Sequence, residues 1–409
     1  MKRYSLNKNQ IKILLLEGIH ESALNILNQN GYHNVEHLPV ALEKENLIEK
    51  IKDVHMIGIR SRTELTKEVL GHAQKLICIG CFSIGTNQVD KKAAESSGIP
   101  VFNAPFSNTR SVAELVIAES VMLMRSISKL SNWAHQGKWL KTAKDSHEVR
   151  GKTMGIIGYG HIGSQVSILA EAMGMKVIYY DIVKKLSLGN ATPCRTLDIL
   201  LKEADIVTLH VPSTKLTRNM IGAPEIKEMK KGALLINASR GDVVEYNAVA
   251  EALKSGHLLG VAADVFPKEP ASNNEPFEFV LQGMDNVILT PHVGGSTLEA
   301  QENIGIEVAE KMALYSDVGS TLGSVNFPQI SLVPHSDCQR FLHIHKNLPG
   351  VMQEINGVFS RKSVNIASVY LQTDEEIGYA IIDTESHFDD TVIKELKEIK
   401  NTIKVRMLY

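Results

Sequence analysis

The stretch Gly155-Ile156-Ile157-Gly158-Tyr159-Gly160-His161-Ile162-Gly163 decides the fold. Gly158, Gly160 and Gly163 form GxGxxG directly after an apolar strand pattern, and Ile162, Val166, Leu169 and Met173 then recur at helical spacing. Strand, glycine turn and helix in that order build a phosphate cradle. The first glycine permits the tight turn, the second lets backbone approach a pyrophosphate, and the third lets helix pack on strand. His161 and Ile162 open the helix, whose free N–H groups and positive dipole end suit a diphosphate. The next strand ends in Asp181, eighteen residues after Gly163, near the spacing of about 20 of dinucleotide-binding units. A carboxylate there accepts hydrogen bonds from ribose hydroxyls and repels a 2′-phosphate. NAD is therefore expected over NADP, with Lys184 and Lys185 pulling slightly the other way.

Outward from this motif the chain reads as alternating strands and helices. Strands are expected at Thr153–Ile157, Lys176–Tyr180, Ile206–His210, Ala233–Asn237, Gly260–Asp264 and Val287–Thr290, the pattern of a doubly wound parallel sheet. Before it, strands at 11–16, 56–59, 76–79 and 100–103 alternate with helices at 22–29, 42–51 and 90–97, a second set of parallel βα units. Ser111-Val112-Ala113-Glu114 reads as a capping box that opens a helix through about Met124 and carries the chain across. After a helix from Leu298 to Tyr315 and an extended tail, His335-Ser336-Asp337 marks a linker. The last 70 or so residues read β-α-β-β-α-β, the split βαβ arrangement. The expected fold class is α/β. Two Rossmann-like domains, 1–105 completed by 296–330 and 106–295, precede a small ferredoxin-like domain at 337–409.

A length of 409 residues fits two or three cores. The formal charge of −2, from 44 basic and 46 acidic residues, gives no global reason to expect nucleic acid or a membrane surface as partner. No apolar run approaches the ~18 residues of a membrane span. Cys78 and Cys81 form a CxxC, but no second Cys or His pair follows at zinc spacing, so they read as core residues. No metal site is expected, and a reducing, cytoplasmic setting is.

Three loops at strand ends carry the candidate chemistry. Asn237-Ala238-Ser239-Arg240-Gly241, Ala263-Asp264-Val265-Phe266-Pro267-Lys268-Glu269-Pro270 and Thr290-Pro291-His292-Val293-Gly294-Gly295 each follow an apolar strand. Ligands of such sheets bind at the carboxyl ends of strands, so the loops can converge. His292 is the natural acid–base, Glu269 can hold its tautomer and raise its pKa, and Arg240 can clamp a carboxylate with two parallel hydrogen bonds. Singly, each could equally be a surface residue in a local contact.

INASRGDVV, ADVFPKEP and TPHVGGST resemble the signature segments of the D-2-hydroxyacid dehydrogenases, and the Gly155–Gly163 motif resembles their nucleotide loop. The resemblance covers roughly residues 10–330. It implies that Arg240, Glu269 and His292 bind substrate and move the proton. It also implies that Ala238, Ser239 and Asp264 lie at the nicotinamide, that Gly294 and Gly295 lie near the cofactor, and that 1–105 and 296–330 fold together as a substrate domain.

Ile59-Arg60-Ser61-Arg62-Thr63 follows another apolar strand. In extended backbone residues two apart share a face, so two guanidinium forks would suit a phosphate. IRSRT, GTNQVD and NTRSVAE resemble the phosphoglycerate dehydrogenases within the family. That implies 3-phosphoglycerate as substrate, contacted by Arg60, Ser61, Arg62 and Asn108, with Lys141 reaching in from a neighbouring subunit. Close relatives can carry a further lysine where this chain has Pro39.

HIHKNLPGV and the strand start at Asn365 resemble an ACT domain, a βαββαβ module that binds amino acids where two copies meet. The resemblance implies L-serine as effector, held by His345, Asn347 and Asn365, and a homo-oligomer, a tetramer. Reduction of 2-oxo acids such as 2-oxoglutarate is the same chemistry in reverse. A glyoxylate or hydroxypyruvate reductase is the rival enzyme, which Arg60 and Arg62 argue against. A non-enzymatic NAD-sensing protein is the rival of another class, which the complete triad argues against.

Overall fold

Five short strands begin the chain in the structure, a computed structural model that describes residues 6–270, 274–333, 338–385 and 391–408. The expected linker at His335-Ser336-Asp337 lies outside the described residues. The strands are β1 (Ile13–Leu15), β2 (Val35–His37), β3 (Met56–Ile59), β4 (Cys78–Cys81) and β5 (Val101–Asn103), paired in parallel in the order β2-β1-β3-β4-β5. All but β2 are buried along their length. They read as unbroken apolar runs because helices cover both faces of a parallel sheet. The edge strand β2, Val35-Glu36-His37, is half-buried and has no apolar run to announce it. Cys78 and Cys81 sit inside β4, where burial pushes both thiols up to about 12, so they are inert core residues.

The helix that follows runs Thr109–Met124 from Asn108, three residues earlier than the capping box predicts. Ser111 lies inside its first turn, where its hydroxyl meets Thr297 Oγ1 at 2.8 Å, and Glu114 pairs with Arg110 at 2.6 Å. Tertiary and side-chain partners have taken both members of the supposed box. Next come β6 (Thr153–Ile157), β7 (Lys176–Tyr180), β8 (Thr192–Pro193), β9 (Ile206–Leu209), β10 (Ala233–Asn237), β11 (Leu258–Ala263) and β12 (Val287–Leu289). They form one parallel sheet ordered β12-β11-β10-β9-β6-β7-β8. The order in which strands are added reverses between β6 and β9, the switch point where open sheets of this kind hold ligands. Residues 108–300 form one compact unit, and 1–107 with 301–409 form the other.

After the helix Leu298–Val318 the chain forms β13 (Gln339–Lys346), a helix Val351–Arg361, β14 (Ile366–Thr373), β15 (Ile377–Thr384), a helix Thr391–Glu398 and β16 (Thr402–Leu408). The antiparallel order β14-β15-β13-β16 is the split βαβ topology. One sheet face packs Phe341 and Ile382 against Ile355, Phe359 and Leu396 of the two helices. On β13 and β15 the opposite face is not solvated. Leu342, Ile344, Tyr379 and Ile381 share a single core with Ile77, Tyr315 and Phe327 of the β1–β5 region.

Polar contacts seal that junction. Tyr379 Oη donates to the Gly319 carbonyl at 2.7 Å, and Lys404 Nζ to the Leu76 carbonyl at 2.6 Å. Arg340 is fully buried, forked onto Asp383 at 2.7 and 2.8 Å, with another nitrogen on the Val318 carbonyl at 3.0 Å. Removing one member of a buried, hydrogen-bonded pair strands the other charge and costs about 3–5 kcal/mol. Asp383→Ala is therefore expected to lower the thermal midpoint by several degrees. The double exchange Arg340→Met with Asp383→Leu is expected to cost much less, because no orphan charge remains. Thermal unfolding of both variants checks this, and equal losses would mean that packing rather than charge pairing dominates.

Candidate active site

The nucleotide loop is built as its glycines require. Gly158 has φ +92°, and a Cβ there would lie 2.4 Å from the His210 carbonyl oxygen of the next strand end. A Cβ on Gly163 would sit 2.2 Å from the Gly158 carbonyl, so helix and strand touch only because it is glycine. Gly160 faces open space, with nothing within 4 Å of a Cβ. It is also the N-cap of the helix His161–Ala172, and no side chain caps that end. This is a concave backbone cradle fit for a diphosphate. Asp181 closes it: its carboxylate accepts from the Tyr159 N–H at 2.9 Å and from the Val183 N–H at 2.8 Å, fixing the β7 end beside the loop.

The three reacting loops converge at the carboxyl ends of β10, β11 and β12. Asn237 shapes the first. Its Oδ1 accepts from the N–H and hydroxyl of Ser239, and its Nδ2 donates to the Arg240 carbonyl. A Cβ on Gly241 would collide with the Phe266 backbone at 1.9 Å, so glycine is what lets the first two loops cross. Arg240 Nη1 donates to the Ser239 carbonyl at 2.6 Å, and a guanidinium has further N–H donors with which it could grip a carboxylate.

Asp264 holds the third loop. Buried to 2 % exposure, its Oδ1 accepts from Thr290 Oγ1 at 2.7 Å and the Val293 N–H at 2.8 Å, and its Oδ2 from the Gly294 N–H at 2.8 Å. His292 is thereby held in a left-handed backbone conformation, φ +53°. Its Nδ1 lies 2.9 and 3.1 Å from the two oxygens of Glu269, which also accepts from the Phe266 N–H at 3.2 Å. The Glu269 hydrogen bond raises the His292 pKa against the opposing effect of burial. For Glu269 burial pushes the other way, yet the His292 hydrogen bond and charge, the Phe266 N–H and the Arg240 charge together depress its pKa. With Nδ1–H on Glu269, Nε2 is the atom free to accept a proton.

Sequence patterning gave no signal for Glu119. It is 2 % exposed on the helix behind Asp264, neither oxygen has a hydrogen-bond partner, and its carboxyl is pushed up to about 8 by burial first and the Asp264 charge second. At neutral pH it therefore favours its protonated form. Asn108, the helix cap, is buried against Gly295, where a Cβ would meet its Nδ2. Lys141 is exposed beside Trp139, itself 90 % exposed.

In the other unit, Arg60, Ser61 and Arg62 lie in a bend after β3 rather than in extended strand, so strand alternation does not align them. What organises them is Glu17, at φ +64°. Its carboxylate accepts from the N–H groups of Arg60, Arg62 and Thr63 at 2.9–3.1 Å. The structure does not bring His345, Asn347 and Asn365 into mutual contact. His345 is buried against Gly378 and His343, Asn347 donates to the Asp374 carbonyl, and Asn365 donates to Glu385.

Residues 117–294 match the D-isomer specific 2-hydroxyacid dehydrogenase, NAD binding domain, and residues 341–404 match the AHAS small subunit-like ACT domain. A D-3-phosphoglycerate dehydrogenase of Haemophilus influenzae is 56% identical over 407 residues, covering 100% of this chain and 99% of its own. The chain belongs to the D-isomer specific 2-hydroxyacid dehydrogenases. The D-3-phosphoglycerate dehydrogenase of Escherichia coli (strain K12) is 55% identical across 100% of both chains. Among solved structures, an Aquifex aeolicus D-lactate dehydrogenase complexed with NAD and lactic acid matches 78% of this chain and 100% of its own at 28% identity and a TM-score of 0.65. D-2-hydroxyisocaproate dehydrogenase matches 77% and 100% at 25% identity and 0.69. This dehydrogenase is NAD-dependent, and NAD supplies the hydride acceptor when bound.

To serve as base for a substrate hydroxyl, His292 would have to be neutral, so the rate is expected to fall as pH drops through its raised pKa. Glu269→Gln removes the charge that raises it. The acidic limb of kcat/KM is therefore expected to move to lower pH, with a lower plateau from the loosened imidazole. A pH–rate profile of the variant checks this, and an unmoved limb would mean that Glu269 does not tune His292.

Proposed function

We propose that this dehydrogenase oxidises 3-phosphoglycerate at C2 to 3-phosphooxypyruvate, the first step of serine biosynthesis. The observation that carries the reading is the end-to-end identity of 55–56% with relatives named D-3-phosphoglycerate dehydrogenase. The paired arginines Arg60 and Arg62, on a loop drawn onto Glu17, support it. Arg240 clamps the carboxylate, His292 Nε2 takes the hydroxyl proton, and Glu269 stabilises the imidazolium that forms. Hydride leaves C2 as the proton leaves the hydroxyl. Arg60, Ser61, Arg62 and Asn108 receive the phosphate end, and Lys141 adds a cation from a second copy. In reverse the same groups serve 2-oxo acids such as 2-oxoglutarate.

Arg60→Ala with Arg62→Ala is expected to raise KM for the phosphorylated substrate about tenfold or more, since each charge-assisted hydrogen bond is worth roughly 1.5–3 kcal/mol. KM for 2-oxoglutarate should change little. His292→Ala is expected to abolish turnover while NADH binding, followed by fluorescence, stays near normal. Equal losses of the arginine variant on both substrates would leave the pair without a substrate role.

The C-terminal ACT module supports feedback inhibition by L-serine bound between copies of the chain. The free edge strand β14 exposes Val369, Tyr370 and Leu371, and Trp139 with Leu140 is exposed elsewhere, both suited to contacts in a homo-tetramer. Asn347 and Asn365 are the exposed polar groups for the amino acid, with His345 inside the module. Serine inhibits only by favouring one arrangement of the assembly over another. Asn347→Ala and Asn365→Ala are expected to weaken inhibition in a serine titration without altering KM greatly. Undiminished inhibition in both would move the serine site elsewhere. Among the described residues no helix is long and apolar enough to cross a membrane, and a cytoplasmic location fits a pathway of small charged metabolites.

A further inference from the structure

Where β16 and the helix Thr391–Glu398 meet the β1–β5 region lies a cavity of about 670 Å³ that the dehydrogenase chemistry does not use. Its polar lining is lopsided. Lys8, Lys75, Lys397 and Arg406 line it against one carboxylate, Asp317, which is already engaged by Lys8 at 2.7 Å and by Tyr32 Oη at 2.6 Å. Arg406 lies over the Tyr315 ring at 5.2 Å, and its Nη1 is buried with no hydrogen-bond partner. Among the described residues no carboxylate pairs with Arg406 or Lys397. Lys75 leans on Asp53, an exposed pair that solvent screens.

His55 completes the polar side. Its Nδ1 accepts the Lys12 backbone N–H at 3.0 Å, so a neutral ring presents Nε2–H as a donor. The positive field reaches this ring: its pKa is lowered by burial first and then by Lys75 and Arg406. A buried guanidinium nitrogen without a partner is destabilising unless something accepts from it. Ile77, Ile393 and Val405 add apolar surface to the lining. A few convergent donors beside apolar surface in a cavity of this size are the form of a small-molecule site.

We propose that this cavity binds a small organic anion, a phosphate or carboxylate on an apolar body, with Arg406, Lys397, Lys75 and His55 holding the anion. Its walls come from both the β1–β5 region and the C-terminal module. A bound anion therefore ties the module to the sheet on which it is docked, stabilising that arrangement by mass action. The site is separate from the nucleotide cradle and from the Arg240, Glu269 and His292 cluster, which belong to the other compact unit.

The test uses the full chain saturated with NADH, titrated calorimetrically and by thermal unfolding with phenyl phosphate, hexanoate and inorganic phosphate. Saturable binding and a rise in thermal midpoint are expected with phenyl phosphate or hexanoate, the tighter of the two identifying the anion's source. Inorganic phosphate, lacking the apolar body, should bind more weakly. Arg406→Gln is expected to weaken binding about tenfold or more, and Lys397→Gln several-fold, with turnover in the absence of added anion unchanged in both. Lys397 is on an exposed helix face, so its variant keeps the test decisive if Arg406→Gln folds poorly. No saturable binding of either organic probe, or affinities identical in wild type and both variants, overturns the proposal.

Discussion

A single buried carboxylate fixes the reacting geometry. Asp264 spends its oxygens on the Thr290 hydroxyl and on the Val293 and Gly294 N–H groups, and the loop so gripped is the one that bears His292. A buried carboxyl whose oxygens are hydrogen-bonded does not incur the cost of an unsatisfied polar group. Glu119, with none, favours its protonated form beside it. The left-handed backbone at His292 is thus held by neighbours that over-determine it. The Glu269 contact follows from that placement, because the imidazole is presented at a fixed point above β11 and β12.

Parallel strands deliver their carboxyl ends to one edge, and both sheets use this. In the seven-stranded sheet the nucleotide cradle and the three reacting loops all follow strands of the same direction. Their close approach depends on missing side chains, since a Cβ at Gly158, Gly163 or Gly241 would enter backbone atoms. In the five-stranded sheet the arginine loop after β3 takes its shape from Glu17, a residue 43 positions before Arg60 whose carboxylate accepts from the N–H groups of Arg60, Arg62 and Thr63. Each site is a set of loops folded around one acidic anchor.

The C-terminal module is joined more closely than its sequence suggests. Its inner strands β13 and β15 are buried on both faces, one by its own helices and the other by the β1–β5 region. Removal of residues beyond 337 would expose Ile77, Tyr315 and Phe327, so truncation is a poor route to a working dehydrogenase without regulation. The same junction offers a mechanical link: a change in the module acts on the sheet through a continuous core and through the Arg340, Tyr379 and Lys404 hydrogen bonds.

The strand–glycine–helix order at 153–172 was legible from the sequence because periodicity and glycine placement are local properties. So were the loops that bear Arg240, Glu269 and His292, which follow unbroken apolar strands, and the βαββαβ order of the C-terminus. The half-buried edge strand β2 escaped notice because it lacks an apolar run, and the capping box at Ser111 failed because its hydroxyl found Thr297, 186 residues away. Glu17, Glu119 and the role of Asp264 as loop anchor were invisible, since a lone acid in a sequence says nothing of what surrounds it. Burial of His345 and the second use of the C-terminal sheet face were likewise settled only in three dimensions. Sequence determined which segments become strands and helices and which loops carry donors and acids. Tertiary structure decided which acids are buried beside which backbone donors, because desolvation and hydrogen-bond partners depend on residues brought together from distant parts of the chain.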